Sequence, residues 1–132
     1  MESIYWPGNN VNLLPPEYSS VKALIARGEY ENAVKALEVL LKKNSFDRIA
    51  VALLSDIYLD HTGNYSMAVK VLSDFLNRQD RVDEDVLFVL KLSDALMEMG
   101  KDDLSGALIG KELKNKYSQK VAVVLEKRLK NI

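Results

Sequence analysis

A stretch of seventeen residues occurs twice in this chain, and the repetition constrains the fold more than any other feature. Residues 28–44 read GEYENAVKALEVLLKKN, and residues 63–79 read GNYSMAVKVLSDFLNRQ. Seven of the seventeen aligned positions are identical, in the pattern G-x-Y-x-x-A-V-K-x-L-x-x-x-L. An internal period in the mid-thirties, carried on apolar residues three and four apart, predicts stacked pairs of α-helices.

Each shared residue has a physical role in such a pair. Gly28 and Gly63 are expected to end a helix in the left-handed conformation, where other residues meet a steric penalty. Tyr30 then fills the angle between the two helices, and Ala33 allows their backbones to approach closely. A third, weaker pair is indicated by residues 92–100, LSDALMEMG, which resemble residues 54–59, LSDIYL.

These motifs resemble the tetratricopeptide repeat family. The resemblance implies an all-α fold, a right-handed superhelical stack of about three helix-turn-helix pairs with a C-terminal capping helix. The repeat domain spans residues 16–132, with units at 16–45, 47–80 and 84–116, a capping helix at 119–131 and an extended arm at 1–15 before it. Compared with the third unit, the second unit has one extra residue, Thr62, which is expected in the turn before Gly63.

Apolar spacing and capping residues predict the helix limits. The predicted helices are 16–27, 30–43, 47–61, 65–78, 84–99, a weaker sixth helix after Gly100, and 119–131. The last helix is expected to cover the end of the stack with one apolar side, formed by Val121, Val124, Leu125 and Leu129.

The N-terminal arm departs from the helical pattern. Pro7, Pro15 and Pro16 interrupt it, and it holds Tyr5 and Trp6, the latter the only tryptophan of the chain. An exposed Trp–Tyr pair would be adhesive, so the arm is expected to pack. It either caps the first helix pair or docks in a groove, its own or that of a neighbouring copy.

Composition and motifs exclude several functions. With 18 basic and 19 acidic residues the chain lacks the basic surface that nucleic acid requires, so no nucleic-acid binding is predicted. It has no cysteine and one histidine, His61, so no metal site is predicted. No catalytic or cofactor motif occurs, which predicts a protein that is not an enzyme and needs no cofactor. No signal peptide or membrane span is visible, which predicts a cytoplasmic protein without membrane insertion.

The family resemblance also implies which residues line the concave side of the stack. They are Tyr18, Lys22, Ile25, Ala52, Asp56, Leu59, Asp60, Leu87, Leu90, Asp94, Met97 and Glu98. Some members of the family clamp the C-terminal carboxylate of chaperones there with Lys, Asn and Arg. Asp56 and Asp94 stand at the contacting positions in this chain, and an anion facing an anion is repulsive, so that function is rejected.

The predicted concave surface is apolar with an acidic bias. Such a surface suits an amphipathic or extended peptide that has aliphatic anchors and one or two Lys or Arg. The sequence therefore predicts a protein-binding module, an adaptor or scaffold. Two alternatives stay open. Asp56 or Asp94 could instead pair with Lys22 or Lys91, and the chain could be a structural subunit that forms a homodimer through Tyr5 and Trp6.

Overall fold

The computed structural model describes residues 14–78 and 80–132, and these residues form helices joined by short connections, with no β-strand among them. The α-helices of this part of the chain are α1 Pro16–Ala26, α2 Tyr30–Lys43, α3 Arg48–Asp56, α4 Tyr65–Leu76, α5 Val86–Glu98, α6 Asp102–Glu112 and α7 Gln119–Lys130. Within residues 14–78 and 80–132, the prediction of an all-helical fold with seven helices packed against neighbours is confirmed. Residues 1–13, which include most of the predicted arm, lie outside the described residues.

The glycines of the repeat end their helices in the left-handed conformation. Gly28, Gly63 and Gly100 have φ angles of 77°, 66° and 73°. After α5, the Gly100 N–H donates to the Met97 carbonyl at 3.0 Å and the Lys101 N–H donates to the Leu96 carbonyl at 2.8 Å. These bonds satisfy carbonyls that the end of a helix leaves unpaired, and they turn the chain sharply into the second helix of the pair.

The extra residue of the second unit is accommodated within the helix and not in the turn. A π-helix, Ile57–Thr62, follows α3 directly and ends at Gly63. A π-helix widens the hydrogen-bonded turn by one residue, so it absorbs one inserted residue without lengthening the connection. A regular helix over 47–61 with the inserted residue in the turn after it was predicted from the sequence. The predicted position of the insertion was wrong.

The chain divides into two compact units, with the boundary between Leu53 and Leu54 inside α3. In the first unit α1 packs against α2, and Val21, Ala33 and Leu37 are buried.

In the second unit α5 packs against α4, α6 and α7. The rings of Phe75 and Phe88 lie 4.6 Å apart between centroids, tilted by 52°, at the α4–α5 contact. Ala68 and Ala95 are fully buried, which lets helix backbones approach closely.

A buried polar cluster joins the α4–α5 connection to the end of α6. The Arg81 guanidinium donates to both carboxylate oxygens of Glu112, at 2.9 and 3.0 Å, and the Tyr117 hydroxyl donates to the same carboxylate at 2.8 Å. Arg81 also donates to the Leu76 carbonyl at 2.7 Å. Burial, and then the hydrogen bond to Glu112, raise the pKa of Tyr117 well above its ordinary value. Nothing in the sequence predicted this cluster.

Candidate functional site

Three helical segments of the second unit are cross-linked by two surface ion pairs. Lys91 Nζ on α5 donates to Asp56 Oδ1 at the end of α3, at 2.6 Å. Arg128 Nη1 on α7 donates to Asp94 Oδ1 on α5, at 2.7 Å. The two aspartates occupy equivalent positions of the repeat, in the shared triplet Leu-Ser-Asp. The same kind of contact therefore links α3 to α5 and α5 to α7.

The helices α5 and α7 run parallel to each other. Near their starts the Ser118 N–H donates to Asp83 Oδ1 at 2.9 Å, and near their ends Arg128 reaches Asp94. Both contacts join residues 34 or 35 positions apart, so the two helices keep one register along their length. Val124 lies one turn before Arg128, on the side of α7 that faces α5.

Exposed aliphatic side chains lie on this side of the unit. Leu87 is 48% exposed and Val124 is 42% exposed, whereas Leu90 and Leu59 are half-buried. Leu87 and Leu90 precede Asp94 by two turns and one turn of α5, so they lie in the same stretch of α5 that Val124 faces. We call this surface the first-helix face; it comprises Asp56, Leu59, Leu87, Leu90, Lys91, Asp94, Val124 and Arg128.

The ion pairs leave this face electrically balanced. The side chains of Asp56 and Asp94 are 46% and 56% exposed, whereas those of Lys91 and Arg128 are 15% and 27% exposed. The carboxylates therefore point outward and the cations lie beneath them. Lys91 is one of the two partners that the sequence analysis considered for the aspartates, and Arg128 was not considered. Each acid is offset by a base, so the predicted acidic bias does not come from these two residues.

The other predicted lining residues of the second unit lie on the π-helix and near the C-terminal end of α5. Asp60 and Glu98 are exposed, on the π-helix and at the end of α5. Met97 is half-buried, and its sulfur lies 3.9 Å from the Ser93 hydroxyl. These three residues take part in neither of the two ion pairs.

The predicted lining residues of the first unit are Tyr18, Lys22, Ile25 and Ala52. The Tyr18 hydroxyl donates to the Asp47 carboxylate, whose other oxygen accepts the Ala50 N–H at 3.0 Å. Burial, and then Asp47, raise the pKa of Tyr18 to about 12. Ala52 is buried. Lys22 and Ile25 are half-buried on α1.

Three residues of the first-helix face were not among the predicted lining residues: Lys91, which was considered only as a possible partner of the aspartates, Arg128 and Val124. Lys91 and Arg128 follow Asp56 and Asp94 by 35 and 34 positions, which is close to the 35-residue spacing of Gly28 and Gly63, so that spacing was a signal for both pairs. Val124 was expected on the covered side of α7 together with Val121, Leu125 and Leu129. Val121 and Leu125 are buried, but Val124 and Leu129 are 42% and 37% exposed, so the expectation of full cover was only partly right for these two.

The predicted contacts of Tyr5 and Trp6 lie outside the described residues. No protein-family model and no curated protein matches this chain. The resemblance to tetratricopeptide repeats therefore depends on the repeated motif residues alone. Within residues 14–78 and 80–132, none of the helices has the length and apolarity needed to cross a bilayer.

Proposed function

We propose that this protein is a protein-interaction module, an adaptor or scaffold that binds a peptide or helix of a partner protein on its first-helix face. The proposed architecture is a right-handed superhelical stack of the tetratricopeptide type. Two features support it: the repeated hairpin with a left-handed glycine at each turn, and the parallel register of α5 and α7.

The observation that carries the proposal is the exposure of Leu87 and Val124, each of which lies one turn before an ion-paired residue of its own helix, Lys91 and Arg128. Phe88, Leu92 and Leu125 of the same helices are buried, whereas Val123 and Leu129 of α7 are exposed as well. Burying a leucine or valine side chain completely is worth about 1.5–3 kcal/mol, and these two side chains are about half exposed. A partner that covers both gains roughly 1.5–3 kcal/mol from them together.

Affinity capture with matched variants tests this function. Leu87→Asp and Val124→Asp place a charge on the face, whereas Leu104→Asp places one on α6, where Leu104 is 54% exposed. We expect partners captured by the wild-type protein and by Leu104→Asp to be lost from the other two variants. Circular dichroism would check that each variant keeps its helical content. Equal capture by all four proteins would show that the first-helix face is not the docking surface.

A further inference from the structure

We infer that the C-terminal helix α7 and the connection before it bind the protein to the surface of an anionic lipid bilayer through lysine side chains. The two charge signs are segregated along the chain. Residues 111–132 contain seven Lys or Arg and two Glu, whereas residues 1–110 contain 11 basic and 17 acidic residues. A local excess of lysine of this size indicates an anionic partner, although the whole chain has a net charge of −1. The inference does not depend on the proposed function.

Most of these lysines lie on the solvent side of α7 or just before the helix. One row of exposed residues runs along α7 at spacings of three, four and three: Lys120, Val123, Lys127 and Lys130. The buried residues Val121 and Leu125 lie on the opposite side, where α7 packs against α5 and α6. Two more exposed lysines lie in the connection between α6 and α7. We call these five residues the basic strip: Lys114, Lys116, Lys120, Lys127 and Lys130.

The charges of the basic strip are not neutralised by the described part of the chain. None of the five lysines forms an ion pair with a residue of 14–78 or 80–132. Arg128 is instead paired with Asp94. Of the two glutamates in residues 111–132, Glu112 is buried against Arg81 and Glu126 is exposed. The strip therefore presents five positive charges to solvent beside one exposed carboxylate.

The kind of side chain favours a lipid surface over other anions. Proteins that bind nucleic acid combine their cations with aromatic rings or Arg side chains that contact the bases, whereas this strip has lysines around one valine. A folded acidic partner would have to fix five long side chains and would cover one half-exposed valine in return. Anionic lipids instead diffuse to the lysines, which keep their mobility and their hydration.

The packing of α7 makes this contact electrostatic. A helix that lies in a bilayer interface buries its apolar side among the acyl chains. In α7 that side is occupied within the protein, since Val121 is 8% exposed and Leu125 is completely buried. The helix therefore binds at the level of the lipid headgroups without insertion, and salt should weaken the binding.

Sedimentation with vesicles tests the inference on the full-length chain. The vesicles contain phosphatidylcholine alone or phosphatidylcholine with an equal amount of phosphatidylserine. We expect sedimentation only with the anionic vesicles, and release between about 0.1 M and about 1 M salt, where the screening length falls from about 10 to about 3 Å. Replacing Lys120, Lys127 and Lys130 with Gln should weaken binding about 100-fold, because each lysine near an anionic surface contributes about fivefold.

Two matched variants separate the basic strip from the total charge. Three exposed lysines elsewhere each have an acidic residue four positions away: Lys35, Lys42 and Lys70. Replacing these three with Gln lowers the net charge equally, and it should change binding less than about threefold because their charges are locally offset. Replacing the three lysines of α7 with Arg keeps the charge and should also keep binding within about threefold. Circular dichroism would check that each variant keeps its helical content.

Several outcomes would overturn the inference. They are equal sedimentation with both kinds of vesicle, equal losses in the two Gln variants, loss of binding in the Arg variant, and no sedimentation with anionic vesicles at about 0.1 M salt. Polyglutamate and single-stranded RNA are titrated in parallel. Binding to either that depends on the α7 lysines and occurs without binding to vesicles would assign the strip to an acidic protein or to nucleic acid, and would overturn the lipid surface.

Discussion

The buried Arg81–Glu112 pair makes a quantitative prediction about stability. Glu112 accepts three hydrogen bonds, two from the Arg81 guanidinium and one from Tyr117, and both charged side chains are almost completely buried. Glu112→Gln keeps the shape and one carbonyl oxygen but removes the negative charge. The guanidinium then stays buried without its counterion.

The expected loss is about 3 kcal/mol of unfolding free energy. Hydrogen bonds to charged groups contribute about 1.5–3 kcal/mol each, and breaking a buried pair by removing one partner costs about 3–5 kcal/mol. We take the lower end because Gln still offers an acceptor to Arg81 or Tyr117. Since the free energy of unfolding of a native protein is about 5–15 kcal/mol, this loss would be a large fraction of the total.

Urea denaturation followed by circular dichroism measures this loss. The control is the Lys70–Asp74 pair on α4, which has an N–O distance of 3.1 Å but is exposed on both sides. Asp74→Asn should cost less than about 0.5 kcal/mol, because exposed helical pairs contribute only about 0.3–0.5 kcal/mol. If Glu112→Gln costs no more than Asp74→Asn, burial does not set the strength of this pair and the reasoning is refuted.

Three further predictions concern backbone, pH and association. Gly63→Ala at φ 66° should destabilise the chain by about 1–2 kcal/mol. Gly110→Ala, inside α6 with no atom within 4 Å of the added Cβ, should stabilise it by up to about 1 kcal/mol in the same denaturation assay. Because the pKa of Tyr18 is raised to about 12, the folded state holds that proton more tightly, so its contribution to stability should be present below about pH 10 and lost as pH rises toward 12. Tyr18→Phe should reduce that pH dependence, and an unchanged profile would contradict the Asp47 contact. Deleting residues 1–14 should convert an oligomer to a monomer in light scattering if the arm mediates self-association; a full-length chain that is already monomeric would rule that alternative out.

The helices could be predicted because their signals are local. The limits of α2 were predicted from the apolar spacing of the repeat and its capping residues. Gly28, Gly63 and Gly100 marked the turns through a conformation that only glycine adopts easily. A residue and its neighbours in sequence decide such features, so one sequence is enough to find them.

Contacts between distant residues were harder to predict. Arg81 and Glu112 are 31 residues apart, one of them in a connection without periodic residues, so nothing local indicated that they meet. The face of α7 was misjudged for a related reason. Val121, Val124 and Leu125 are three or four residues apart, so the spacing alone places all three on one side of α7. Packing against α5 and α6 decides which of them are buried.

The π-helix at Ile57–Thr62 has a consequence for how such chains change length over evolution. A residue inserted into a regular helix rotates everything after it by about 100°, which would carry buried side chains into solvent. One widened turn prevents that rotation, so the residues on either side keep their original partners. Length variation can therefore enter the middle of a hairpin without being confined to its loops, and a search that demands a strictly constant repeat length would overlook units of this kind.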